Sequence, residues 1–129
     1  MVEVGRAEVK RFQRAAEEAA AFLRPKLDGN ARIKILSHTD ADGISSAAIL
    51  ARCLYSYNVP FTIKFGRAPS VEDVAKLGKD EYDLFIFLDQ GSSQFEAISK
   101  HILTKRVDVL IIDHHPGTFP EGSNVCHLN

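Results

Sequence analysis

Apolar and polar residues follow one another in blocks along this chain, and the spacing inside each block predicts an element. Continuous apolar runs predict strands at 33–36, 61–65, 84–88 and 107–112. Apolar residues spaced by three and four predict helices at 7–24, 44–57, 71–77 and 94–104. The last residues, 124–129, alternate between apolar and polar and predict a fifth strand.

The order of these elements predicts the fold class. Strands alternate with helices through short connections, which is typical of a parallel sheet with helices on both faces. We therefore expect an α/β domain with a parallel β-sheet of four to five strands. The first helix should pack through one apolar face and end at Pro25; that face carries Val9, Phe12, Ala16, Ala19 and Leu23.

Length and composition limit the classes of function. The chain has 129 residues, enough for one domain, and its 16 basic and 17 acidic residues leave a formal net charge of −1. This balance gives no general attraction to nucleic acid or to anionic membranes, although carboxylates neutralised by bound cations would leave the remaining surface more basic. The two cysteines lack CxxC spacing and no leader segment is apparent, so we expect a cytoplasmic protein with no membrane role.

Residues suited to metal binding follow the predicted strands. In a parallel sheet, the loops after the carboxyl ends of the strands converge and form the usual ligand site. The first such loop holds His38, Asp40 and Asp42, which would point the same way if the loop were extended, followed by Gly43 at the helix start. The alternative is that Asp42 simply caps the following helix.

Two further clusters follow later strands. Asp89 closes the strand at 84–88, where an unpaired carboxylate is costly, and we expect Ser92 or Ser93 to cap the next helix and leave Asp89 for a cation. Asp113, His114 and His115 follow the strand at 107–112. One histidine would bind a cation, and the other would face substrate or support a ligand, with a carboxylate holding an imidazole tautomer.

The types of these side chains indicate the ion. Carboxylate and imidazole ligands without thiolate suit manganese, magnesium or zinc. More ligands than one tetrahedral shell can hold favours an octahedral ion, and we expect two divalent cations, with Mn²⁺ preferred and Mg²⁺ possible. Two ions bridged by one carboxylate can activate water and bind a phosphoryl oxygen.

The segment HTDADG at 38–43, Asp89 at a strand end and DHH at 113–115 together resemble the first three motifs of the DHH phosphoesterases, in order, over about residues 33–117. The FLDQGSS segment resembles archaeal RecJ-like proteins, some of which associate with the GINS complex. The resemblance implies a metal-dependent exonuclease acting on single-stranded DNA or RNA. It also implies the following roles: His38 and Asp40 hold the first ion, Asp42 and His114 the second, Asp89 bridges both, Asp113 orients an imidazole, and His115 contacts the phosphate.

The chain departs from the family pattern at its C-terminal side. The family's fourth motif supplies another aspartate well beyond DHH and is followed by a substrate-binding domain, but no Asp follows Asp113 here. We interpret residues 1–129 as the N-terminal DHH domain, truncated before the fourth motif and weakly active or inactive by itself. The alternatives are a non-catalytic replication module with a GINS-like partner and a small-molecule phosphohydrolase that acts on an oligonucleotide, a cyclic dinucleotide or pyrophosphate.

Two further groups are interpreted more simply. Arg67 follows the second strand at the same predicted edge and would either contact a phosphate through its guanidinium fork or remain an ordinary surface arginine. Three aromatic residues lie near a helix-to-strand junction, and we expect them to be core residues rather than a base-stacking surface: Tyr55, Tyr57 and Phe61.

Overall fold

A computed structural model of the protein describes residues 5–28, 30–115, 117 and 124–128. The elements in chain order are α1 (Arg6–Leu23), β1 (Ile33–Ser37), α2 (Ala41–Ser56), β2 (Phe61–Phe65), α3 (Val71–Leu77), β3 (Leu84–Leu88), α4 (Phe95–His101), β4 (Asp108–Ile112) and β5 (Val125–Leu128). Short 3₁₀ segments follow α1 at Arg24–Asp28 and α4 at Leu103–Lys105. None of the helices in the described residues is long and apolar enough to cross a bilayer.

All five strands form one parallel sheet in the order β2-β1-β3-β4-β5, which confirms the predicted α/β class. The register aligns the strand ends, because Ser37 pairs with both Phe65 and Leu88, and Leu88 pairs with Ile112. The residues that follow these strands therefore share one edge. The strand order reverses between β1 and β3, the kind of position where ligands bind in open α/β sheets.

Helices cover both faces of the sheet, as predicted. On one face, α1 and α2 form a core with the sheet in which Leu50 and Leu54 lie against Ile35 and Ile86. On the other face, α3 and α4 form a second core with the sheet residues Phe85 and Phe87. All five residues of β3 are buried, which explains why its sequence is continuously apolar rather than alternating.

Two predictions about packing are wrong. In α1, Ala19 is buried and Leu23 packs against the core, but Val9 is exposed and Phe12 is 65% exposed. Only the C-terminal part of α1 has its apolar face against this core. Tyr55 is 79% exposed and Tyr57 is also exposed, because neither side chain packs against the core that contains Leu50 and Leu54. Phe61, in contrast, packs against that core as predicted.

Candidate metal centre

Three predicted site residues follow immediately after strand ends at the shared edge. His38 follows β1, Asp89 follows β3 and Asp113 follows β4. The backbone pairing continues for one residue past the strands, since the Asp89 N–H donates to the Ile112 carbonyl at 2.9 Å and the Asp113 N–H donates to the Leu128 carbonyl at 3.0 Å. The sheet itself therefore fixes where these side chains begin.

The loop after β1 turns into helix earlier than predicted. Asp40 is the N-cap of α2, and its Oδ1 accepts a hydrogen bond from the Gly43 N–H at 2.9 Å. That bond is the main reason why the pKa of Asp40 lies below its ordinary value. The predictions of an extended loop through Asp42 and of Asp42 as the alternative cap are both wrong, because Asp42 already lies in the first turn of α2.

Gly43 allows α2 to begin directly against the backbone of β1. A Cβ atom at this position would lie 2.2 Å from the His38 carbonyl oxygen, far inside contact distance. The Ser37 hydroxyl also donates to the Gly43 carbonyl at 2.7 Å. This close approach holds His38 and the first turn of α2 together at the sheet edge.

Asp89 is buried at the centre of the cluster, with a residue exposure of 4%. Its backbone is left-handed, with φ at 58°, an uncommon conformation for a residue other than glycine. Its Oδ1 lies 2.6 Å from His114 Nε2, and its Oδ2 lies 3.3 Å from His38 Nδ1. The two carboxylate oxygens therefore face two different histidines.

Each of these histidines has a second aspartate beside it. His38 Nδ1 lies 4.0 Å from Asp40 Oδ2, and His114 Nε2 lies 4.0 Å from Asp42 Oδ2. The five side chains thus form two half-sites, His38 with Asp40 and His114 with Asp42, which share Asp89. The ligand atoms of His38, Asp40 and Asp89 all lie within 4.8 Å of one another, a spacing that fits one divalent cation. In the second half-site, the ligand atoms of His114 and Asp89 group within 4.8 Å with those of Asp113 and His115, and Asp42 is in neither group.

Asp113 organises the DHH loop instead. Its Oδ1 accepts from the backbone N–H groups of His114 and His115 and lies 2.5 Å from His115 Nδ1, while Oδ2 accepts from the Ser92 N–H. Burial raises the pKa of Asp113, but hydrogen bonds from His115 and Ser92 outweigh burial and lower the pKa overall. The same hydrogen bond and the charge of Asp113 raise the pKa of His115. Both Asp113 oxygens are used by protein donors, although one lies within 4.8 Å of ligand atoms of Asp89 and His114.

The loop after β3 differs from the prediction. Neither Ser92 nor Ser93 is the N-cap of α4, because the helix begins one residue later with Gln94 at that position. The Gln94 Oε1 accepts from the Gly91 N–H at 3.0 Å, and Ser92 Oγ lies 2.8 Å from His127 Nε2. Burial lowers the pKa of His127. These contacts link β5 to the site, and no periodic signal in the sequence indicated them.

Arg67 lies in the loop after β2, where its residue is exposed and lines a cavity of about 460 Å³. A smaller cavity of about 220 Å³ is lined by His38, Asp113 and His115. Gln90, the residue after Asp89, lines both cavities. The structure thus puts Arg67 in a cavity next to the one that borders the cluster, and in neither half-site. Gln90 carries no feature in the sequence that selects it as a site residue.

The model of the DHH family, N-terminal domain, matches residues 32–129. The chain belongs to the DHH family. This DHH domain is 37% identical over 103 residues to an uncharacterized protein of Methanocaldococcus jannaschii, covering 75% of this chain and 23% of that protein. It is 32% identical over 117 residues to the single-stranded-DNA-specific exonuclease RecJ of Thermus thermophilus, covering 85% of this chain and 17% of RecJ.

Solved RecJ structures share the fold of this DHH domain. A crystal structure of exonuclease RecJ bound to manganese superposes with a TM-score of 0.72 at 29% identity, covering 88% of this chain and 31% of RecJ. The Thermus thermophilus RecJ structure in complex with Mn²⁺ gives a TM-score of 0.70 at 30% identity, covering 88% of this chain and 17% of that chain. The chain is RecJ-like and spans less than a third of the length of these relatives.

Proposed function

We propose that this DHH domain is the metal-binding core of a two-metal phosphodiesterase that acts on the ends of single-stranded nucleic acid. The observation that carries the proposal is the arrangement around Asp89, whose oxygens face separate histidines at 2.6 Å and 3.3 Å. A buried carboxylate between two His and Asp half-sites is the form expected of a residue that bridges two cations.

The roles of the ligands follow from the half-sites. His38 and Asp40 would bind one divalent cation, His114 and Asp42 the other, and Asp89 both. The three aspartates lie at one edge of the sheet, and their negative charges would offset the positive charge of the cations. When bound, the two ions would activate a water molecule and stabilise the negative charge that develops on the phosphate.

The other site residues would position the substrate. Asp113 orients the His115 ring through a 2.5 Å contact to Nδ1, and His115 would contact a phosphate oxygen. The hydrogen bond to Asp113 and the charge of Asp113 raise the pKa of His115, which favours the protonated ring that can donate to a phosphate. Arg67, in the adjoining cavity, would bind a neighbouring phosphate through its guanidinium fork.

Similarity to RecJ supports nucleic acid as the substrate and manganese as the preferred ion, with magnesium as the alternative. The relatives in question are a single-stranded-DNA-specific exonuclease and a RecJ structure bound to manganese. The carboxylate-rich donor set suits both ions.

The proposal is tested by incubating the chain with single-stranded DNA, single-stranded RNA, pyrophosphate and a cyclic dinucleotide, each with Mn²⁺, and separating the products by chromatography. We expect the oligonucleotides to be shortened from an end, and the reaction to stop with EDTA or in Asp89→Asn. The matched control is Asp80→Asn, which changes a carboxylate paired with Lys34 away from the cluster and should leave the reaction unchanged.

Two outcomes would contradict the proposal. Cleavage of pyrophosphate or the cyclic dinucleotide without cleavage of oligonucleotides would favour a small-molecule phosphohydrolase. Metal binding with no cleavage of any substrate, even at high protein concentration and after long incubation that would reveal a weakly active domain, would favour the non-catalytic module, whose expected partner is a GINS-like replication protein.

A further inference from the structure

A small cavity borders the metal centre and a larger cavity lies next to it, with Ala68 and Gln90 lining both. The larger, about 460 Å³, is bordered by Lys64, Arg67 and Leu77. The smaller, about 220 Å³, is bordered by His38 and His115. Gln90 lines both, so its side chain forms part of the wall that separates the metal centre from the larger cavity.

The side-chain carbonyl oxygen of Gln90 lacks the hydrogen bond that buried amide oxygens usually have. The residue is only 4% exposed, and within the described part of the chain its Oε1 has no hydrogen-bond partner. Four residues later, Gln94 places its Oε1 on the Gly91 N–H at 3.0 Å. A buried, unpaired carbonyl oxygen is costly to maintain and calls for a specific explanation.

The larger cavity has the mixed lining that a nucleotide requires. Lys64 and Arg67 can bind phosphate, while Leu36 and Leu77 offer apolar surface to a sugar or base. Its volume of about 460 Å³ lies in the range of small-molecule sites. Ser70 and Asp73 also line it, but their side chains are engaged in capping α3.

The position of Gln90 selects the part of a nucleotide that it can contact. Gln90 lines the smaller cavity together with His38 and His115, so it forms part of the wall beside the half-sites. If the phosphate lies at the half-sites that share Asp89, the group beside Gln90 is the sugar bonded to that phosphate. A sugar hydroxyl both donates and accepts, so it can pair with either end of the amide after rotation about the terminal side-chain bond.

We infer that Gln90 is a specificity residue that contacts the 2′-hydroxyl of the nucleotide next to the metal centre, so that the site prefers ribonucleotides to deoxyribonucleotides. The inference rests on the proposed phosphodiesterase function and names its substrate class. Within a strand, the 2′-hydroxyl is the sugar group that distinguishes RNA from DNA. With deoxyribose at this position, the amide oxygen would stay unpaired.

The test is equilibrium binding of three nucleotides to the chain with Mg²⁺, followed by NMR: 5′-AMP, its 2′-deoxy analogue and its 3′-deoxy analogue. We expect 5′-AMP and the 3′-deoxy analogue to bind similarly, and the 2′-deoxy analogue to bind about tenfold more weakly or worse. The side-chain NH₂ signals of Gln90 should shift with 5′-AMP. In Gln90→Leu, the difference between the 5′-AMP and 2′-deoxy affinities should fall below about twofold.

The matched control is Gln94→Leu, the same substitution at a glutamine of the smaller cavity whose Oε1 is already bonded. This variant should keep the preference. Gln90→Leu should unfold at the same temperature as wild type or a higher one, because it removes an unpaired buried group.

Equal binding of all three nucleotides, loss of affinity with the 3′-deoxy analogue instead, or a preference that persists in Gln90→Leu would each overturn the inference and leave the proposed function intact. Absence of any metal-dependent nucleotide binding would overturn both.

Discussion

At the scale of single residues, Asp89 combines burial, a left-handed backbone and contacts to two histidines. A residue other than glycine in this conformation costs about 1 to 3 kcal/mol and is kept where the surrounding structure enforces it. Here the N–H of Asp89 is held by the Ile112 carbonyl, and Gly91, with φ at 113°, continues the tight turn. The turn thus aims the carboxylate at the cluster rather than along the sheet.

Gly43 provides a residue-scale prediction. Gly43→Ala should lower the free energy of unfolding by about 1 to 3 kcal/mol, because its Cβ would overlap the His38 carbonyl. It should also weaken Mn²⁺ binding, since His38 must move. Urea denaturation and metal titration measure the two effects.

The control is Gly66→Ala, which follows β2 at the same edge and has no atom within 4 Å of the added Cβ. It should unfold within about 0.5 kcal/mol of wild type. Equal stability of Gly43→Ala and Gly66→Ala would contradict the close approach of α2 to β1.

The identities of the clustered residues could be predicted from sequence, but not their local conformations. His38, Asp89 and His114 follow strand ends, and the parallel register brings strand ends together. The cap of α2 was missed because two aspartates compete for it at 40 and 42. The choice of Asp40 depends on how closely Gly43 approaches β1, which has no counterpart in the spacing of residues.

At the scale of elements, α3 depends on its N-terminal cap. Ser70 accepts from the Asp73 N–H at 3.1 Å, and Asp73 accepts from the Ser70 N–H at 3.0 Å, which forms a capping box. Ser70→Ala should lower the free energy of unfolding by about 1 kcal/mol at neutral pH. Thermal denaturation measures the change, with the exposed α2 residue Ser45→Ala as a control expected to show no loss.

The capping box also predicts a pH dependence. Hydrogen bonds from the backbone and side chain of Ser70 lower the pKa of Asp73 below its ordinary value of 3.8. Its native pKa is depressed, so the stabilisation is present above pH 3.8 and is lost as the pH falls through the native pKa. The difference in free energy of unfolding between wild type and Ser70→Ala should therefore shrink in acid. A difference that stays constant with pH would contradict the role of the ionised Asp73 carboxylate in the capping box.

The two ends of α1 should differ in importance. Phe12 is 65% exposed, whereas Phe22 packs against the core on the α1 and α2 face. Phe12→Ala should change the free energy of unfolding by less than about 0.5 kcal/mol, and Phe22→Ala should lower it by about 2 kcal/mol. Equal losses in denaturant titrations would indicate that Phe12 is also covered.

The positions of strands and helices could be predicted where burial determines the spacing of apolar residues. The packing contacts of individual side chains could not. The predicted strand at 84–88 has the same bounds as β3. Its continuous apolar run is typical of a central strand that is buried on both faces. The apolar spacing of α1 continues through Val9 and Phe12, but periodicity does not say how far the sheet extends beneath the helix. The prediction that Tyr55 is a core residue is wrong for a related reason, because residue type alone does not determine which face of a helix is covered.

At the scale of the whole molecule, topology explains why chemistry lies at this edge. The order β2-β1-β3-β4-β5 puts His38 and Asp89 on either side of the reversal between β1 and β3, with the DHH loop next to them. Two independent cores hold the sheet from its two faces, so the ligands start from a rigid base.

The central claim is that Asp89 is shared by two cation sites, and calorimetric titration of Mn²⁺ into metal-free protein tests it directly. Wild type should bind two ions, and Asp80→Asn should match it. Asp40→Asn retains a capping side chain but loses the charge of one half-site, so it should bind one ion. Asp89→Asn should bind neither. No heat beyond dilution in wild type, or wild-type binding by Asp89→Asn, would contradict the account.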